Sequence, residues 1–162
     1  MVGEAPEDPK VVAAFFAIGR LAAKEMANYA EKQLLADPGD SAWLEVLLNR
    51  GDVTADFAPS FGAALEAHGY AIPTPDEGVD IVAREFANRA IKAGLSPADA
   101  AWHVVGQFRF GEGPVLPRHV YNLDWLLTMF ECSEPWDKEH WGSLMKEEVR
   151  RLAQGEPSIA TS

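Results

Sequence analysis

The sequence predicts an all-α protein, a single-domain irregular bundle of six to seven helices, crossing in the orthogonal manner around a central helix at residues 117–132. Three observations predict it. Apolar residues recur every three to four positions through most of the chain. No segment alternates with period two in β-branched residues between hairpin turns. Cap-plus-proline signals open segment after segment, and Gly or Pro-Gly closes them.

In order, Asp8-Pro9 opens a first helix that runs to about Leu35, with Val11, Phe15, Ile18, Ala22, Met26 and Tyr29 along one stripe. Asp37-Pro38-Gly39-Asp40 breaks it, and a second helix spans residues 41–49, with Gly51 as its left-handed stop. Residues 51–58 read as irregular. Asp52 and Asp56 there lack the glycine and closing glutamate of a calcium loop. Pro59 opens a short helix to His68, an imidazole that the helix dipole stabilises in the last turn. Thr74-Pro75-Asp76-Glu77 starts a fourth helix, which Gly94 stops. Ser96-Pro97-Ala98-Asp99 starts a fifth, expected to bury Ala98, Ala101, Trp102, Val105 and Phe108 and to turn His103 and Gln107 outward.

Gly111-Glu112-Gly113-Pro114 is a loop leading to the central helix. One broad arc of that helix carries Val120, Leu123, Trp125, Leu126, Leu127, Met129 and Phe130, and a narrow wet arc carries Asp124, Thr128 and Glu131. A last helix covers about 135–153, with Trp141, Leu144, Met145, Val149 and Leu152 inward and Glu147–Arg151 as an i,i+4 pair outside. Residues 1–153 therefore form one domain, and 154–162 are expected to fray.

Composition narrows the function. Of 162 residues, 48% are hydrophobic and 24% charged, ordinary values for a folded domain. The net charge of −11 disfavours a nucleic-acid backbone or an anionic membrane and suits a basic protein partner. The apolar run Val11–Ile18 is short and follows acids, unlike a signal or a membrane span. One cysteine, Cys132, admits no internal disulfide and fits a reducing, cytoplasmic setting. Late in a helix and next to Glu131, it lacks the positive surroundings that a thiolate nucleophile needs.

Chemical motifs are sparse. HExxH, the phosphate-cradling GxxxxGK[ST] and Gly-x-Ser-x-Gly do not occur. Gly111-Glu112-Gly113 has no strand before it and reads as a turn. Asp137/His140 and Asp99/His103 share helix faces, but a di-metal bundle needs two Glu-x-x-His turns and further inward glutamates. No metal or cofactor is expected. A helix-turn-helix over the fourth and fifth helices fails because its recognition helix offers Asp99, Ala100, His103 and Gln107 with Arg109 as the lone base.

What remains is His119 with Asn122, one turn apart inside the apolar arc. Buried, they must be hydrogen-bonded. Bonds to loop backbone near 111–117 explain them structurally. A ligand pocket shared with Trp102 and Trp125, with Arg109 and Arg118 drawing in an anion, is the functional reading. Trp136, Tyr121 and Met129 gather aromatic surface near one end and are the candidate interface residues. The sequence thus points first to a small acidic cytosolic interaction protein of the inhibitor or immunity type, leaning away from an enzyme. The alternatives are a small-molecule-binding module or enzyme with the His119 pocket, and a homodimer joined through an aromatic helix face.

Overall fold

Every regular element among the described residues, 5–48 and 54–159 of the computed structural model, is a helix. Eight are present there: α1 (Pro9–Ala17), α2 (Ala23–Ala36), α3 (Ser41–Leu48), α4 (Thr54–Ala67), α5 (Pro75–Lys92), α6 (Pro97–Val105), α7 (Arg118–Cys132) and α8 (Lys138–Gln154). The all-α expectation holds, and the count exceeds six or seven for one local reason. The expected long first helix is two helices. Gly19 takes a left-handed φ of 68°, its N–H bonds Phe16 O at 3.0 Å, and Arg20 N–H reaches back to Phe15 O at 2.8 Å. That is a helix-ending motif in which glycine avoids the Cβ penalty of a left-handed residue. The chain restarts at once, with the Glu25 carboxylate accepting from Ala22 N–H at 2.8 Å.

The chain divides into two units, Ala5–Gly78 and Val79–Ser162. In the first, α1 packs on α4, and α2, α3 and α4 pack on one another. Its core is aromatic. Tyr29, Trp43 and Phe61 meet edge to face, with centroids 5.4–5.9 Å apart, and Phe16 tilts against Phe61 at 5.5 Å. Such pairs add about 0.5–1.5 kcal/mol each beyond the area they bury. On α3, Trp43 and Val46 are buried while Leu44, Leu47 and Leu48 stay exposed. The anticipated stop at Gly51 and the Asp52 half of the calcium motif lie outside the described residues. Pro59 does not open α4; the helix begins at Thr54 and carries the proline inside.

The ends of α3 and α4 are clamped together. Asp40 caps α3, its Oδ1 accepting from Ala42 N–H at 3.0 Å and Trp43 N–H at 3.3 Å. Its other oxygen meets His68 Nε2, while His68 Nδ1 lies 2.7 Å from Ala64 O and the ring stacks on Trp43 at 5.3 Å. The start of α5 comes close to α1 at Gly78, where a Cβ would stand 3.0 Å from the Ile18 side chain and 3.2 Å from Ala14 O.

In the second unit α6, α7 and α8 pack mutually. α5 joins through Phe86 against the His103 ring (5.4 Å) and through Asn88, whose amide donates to Ala153 O at 3.4 Å. At the expected start of α5, Thr74 and Glu77 form a capping box: Glu77 Oε2 accepts from Thr74 N–H at 2.9 Å, and Thr74 Oγ1 from Glu77 N–H at 3.4 Å. The core is Val82, Ala90, Ala101, Val104, Val120, Leu123, Leu126, Met145 and Leu152, each at most 2% exposed.

Two phases differ from the sequence reading. On α6 the buried seam is Ala100, Ala101, Val104 and Val105, so Trp102 is 51% exposed and His103, expected outside, turns in toward Phe86. Small alanines let helices approach closely, and that seam outweighs the single large ring beside it. On α7 the wet arc is broader than expected: Arg118, Tyr121, Asp124, Trp125, Thr128, Glu131 and Cys132 are all exposed. The helix buries one face, Val120, Asn122, Leu123, Leu126 and Leu127. No described helix is long and apolar enough to cross a membrane.

Candidate functional site

His119 and Asn122 do come together, and what they hold is the segment after α8. His119 sits in the first turn of α7 and Asn122 one residue short of the next turn, so both side chains leave the buried face in the same direction. His119 Nδ1 meets Glu148 Oε1 at 2.5 Å, and Nε2 meets Glu156 O at 2.9 Å. Both ring nitrogens face acceptors, a carboxylate on one side and a main-chain carbonyl on the other. The Asn122 amide donates to Ser158 Oγ and to Ile159 O, the latter at 3.0 Å. Glu148 is the hub: its carboxylate is fully buried and also accepts from Ser158 Oγ at 2.6 Å and Ile159 N–H at 2.9 Å. Burial by itself would raise this carboxyl, but the His119, Ser158 and Ile159 donors outweigh it and hold its pKa below the usual carboxylate value.

The partners of His119 and Asn122 are therefore Glu148 and residues 156–159 rather than the loop at 111–117. Residues 155–159, where the sequence reading expected fraying, are tied by these bonds and by Arg150, which donates to Glu156 at 3.0 and 3.1 Å. Glu147 accepts from Arg150 and from Arg151, the second being the expected i,i+4 pair at 2.9 Å, and its pKa falls to about 2 through those two hydrogen bonds. Sequence reading missed Glu148. The signal was available: Met145, Glu148 and Leu152 recur at helical spacing, which puts the acid on the buried stripe of α8.

The remaining candidates do not gather around His119. Trp102 stands on the exposed side of α6, and Arg109 and Arg118 are exposed. Trp125 lies on the outer arc of α7, 44% exposed, with its ring edge to face with Trp141 at 5.7 Å. Tyr121, one turn earlier on that arc, is 48% exposed and pairs with Phe110 at 5.3 Å. Met129 is half-buried. Trp136, in the turn before α8, is the most exposed of the five tryptophans at 76%.

The second candidate is thus this outer arc of α7, a row of rings running Phe110–Tyr121 and Trp125–Trp141, with Asp124 set among them. No model of a known protein family matches the chain, and no curated protein and no solved structure is significantly similar to it. The site must be read from its chemistry. No three of the His, Cys, Asp and Glu side chains among the described residues are placed to hold a metal ion. Asp99 is spent on the α6 cap, its carboxylate accepting from Ser96 Oγ at 2.6 Å. Asp is too short for the full capping box, so it bonds the hydroxyl in place of the backbone N–H. His103 Nε2 is buried without a hydrogen-bond partner, and burial lowers the pKa of that ring, with Arg89 adding to it.

Proposed function

We propose that this protein acts by binding a basic protein partner on the exposed arc of α7, in the manner of an inhibitor or immunity protein of the cytosol. The observation that carries the reading is the row of half-exposed rings. Tyr121 and Trp125 stand at i,i+4 spacing on a solvent-facing arc, each already propped by a neighbouring ring. Large rigid aromatics of this kind supply most of the energy in protein contacts and lose little entropy when covered. They also accept Lys and Arg side chains on their faces. The exposed acids Glu112, Asp124, Glu131, Glu134, Asp137 and Glu139 belong to the same stretch of chain and favour a cationic partner.

The test is a Tyr121→Ser/Trp125→Ser double variant, compared with wild type for a partner captured from extract and then purified. The expected result is a basic protein whose affinity falls at least about a hundredfold in the variant, as for two anchor residues, and weakens steadily with salt. Retention of that partner by the variant would overturn the reading. So would a wild-type chain that sediments as a dimer and a variant that does not, because the face would then belong to a second copy.

A further inference from the structure

The first unit contains a cavity of about 360 Å³ between the start of α1 and the outer side of α2. Val12, Leu21 and Tyr29 give it a largely buried apolar floor, and Glu7, Glu25, Asn28, Lys32 and Gln33 provide polar walls. Its volume is at the small end of the range for ligand sites.

Tyr29 brings a hydroxyl to this apolar floor. Its side chain is nine-tenths buried, and its ring is locked edge to face against Trp43 and Phe61. No hydrogen bond from a described residue reaches its phenol, and that oxygen is not among the buried atoms left without a partner, so it opens on the cavity that Tyr29 lines. Burial first, then the nearby Tyr70 and Asp8, push its pKa up to about 12, so the phenol stays neutral and keeps both a proton to donate and lone pairs to accept with. The ring contacts fix its direction in advance, which removes an ordering cost from binding.

Charge decides the ligand. Two carboxylates, Glu7 and Glu25, face one ammonium, Lys32, which sits 2.9 Å from Glu7, and the Arg20 guanidinium lies close enough to Glu25 to feel its charge. Glu25 spends Oε2 on the Ala22 N–H and keeps Oε1 for another donor. Among the described residues the acids Glu7, Glu25 and Asp8 still outnumber Lys32 and Arg20, which disfavours a carboxylate or phosphate. We infer that this cavity is a binding site for a small primary amine with an apolar body, the ammonium donating to Glu25 and to the Tyr29 oxygen and the apolar part lying on Val12 and Leu21.

The full-length chain, labelled with nitrogen-15, should be titrated with 2-phenylethylamine, 2-phenylethanol and 3-phenylpropionate. The amine is expected to give saturable shifts at Leu21, Asn28, Tyr29 and Lys32 with a Kd near or below about 1 mM, reasonable for about nine non-hydrogen atoms. The alcohol should bind about tenfold more weakly, since it lacks the charge. Glu25→Gln keeps the α2 cap, because a glutamine side chain accepts the same backbone N–H, and should weaken the amine about tenfold. Tyr29→Phe keeps the ring core and should weaken it about three- to fivefold, one neutral hydrogen bond. Equal binding of amine and alcohol, tighter binding of the carboxylate, no saturable shift at these four residues, or wild-type affinity in either variant would each overturn the assignment.

Discussion

Glu148 shows how one side chain sets the cost of its surroundings. A fully buried carboxylate is tolerable when every oxygen is met by a donor, and removal of one donor leaves charge uncompensated in a medium that cannot solvate it. His119→Ala is therefore expected to cost about 2–4 kcal/mol in chemical denaturation, whereas His119→Gln, which still donates to the carboxylate, should cost about half as much. Equal losses for the two would show that the imidazole acts by its bulk. The Asp40–His68 clamp makes a prediction about pH. The Ala64 carbonyl, and then Asp40, raise His68 above its ordinary 6.5 against burial, which opposes them. For Asp40 the largest single effect is burial, which raises the carboxyl, but the His68 bond and the capping N–H groups together bring it below 3.8. A raised histidine stabilises at low pH and loses its effect as pH climbs through the folded value. A lowered aspartate stabilises at high pH and loses its effect as pH falls through its own. The clamp thus works best between about pH 4 and 6.5, and the difference in Tm between wild type and His68→Ala should be largest in that window and shrink above it. An NMR titration placing His68 at or below 6.5 would contradict this.

At the scale of elements, the helix boundaries were legible wherever a cap or a glycine wrote them. Thr74-Glu77, Ser96-Asp99 and the Gly94 stop all lie where the sequence places them. Gly19 went unread because the apolar stripe of residues 11–29 continues in phase on either side of it. Its strain argument is clean: a Cβ there would meet nothing within 4 Å, so the cost of a side chain is purely conformational. Gly19→Ala should lose about 1–2 kcal/mol, although the same change inside a helix normally gains stability. The faces of α6 and α7 were harder. Apolarity places Trp102 and Trp125 inside, but on α6 the alanines make the closer seam, on α7 Val120, Leu123, Leu126 and Leu127 fill the buried face, and an aromatic on the wet side is silent in a pattern that counts only apolarity. Leu127, 2% exposed, should cost about 2–5 kcal/mol as alanine. Asp124, on the outer arc, should cost under about 0.5 kcal/mol. A large loss from the second would mean that the arc of α7 is covered.

For the whole molecule, composition carried the class and little beyond it. The all-α reading rests on periodicity summed over many turns and is robust to errors at single residues. The partners of His119 were invisible because they lie 29 and 37 residues further along, and no local pattern pairs an imidazole with a main-chain carbonyl that far off. Charge, by contrast, is legible without a structure. Residues 5–78 carry twelve Asp and Glu against five Lys and Arg, so most of the net charge of −11 resides there. Self-repulsion at that density opposes the compact state and is screened over about 8–10 Å at physiological salt. Raising NaCl from about 20 to 300 mM should therefore raise Tm. A fall would indicate that the ion pairs around Glu147 and Arg150 outweigh the general repulsion.

The order in which the polypeptide is made adds a consequence to the Glu148 hub. The ribosome delivers this acid ten residues before Ser158 and eleven before Ile159. Until those residues emerge, the nascent α8 can bury its own stripe only with a carboxylate that has His119 and lacks two of its donors. The packing of α6, α7 and α8 is thus held back from settling early, and a chain released before Ser158 and Ile159 would close poorly and be open to proteolytic removal.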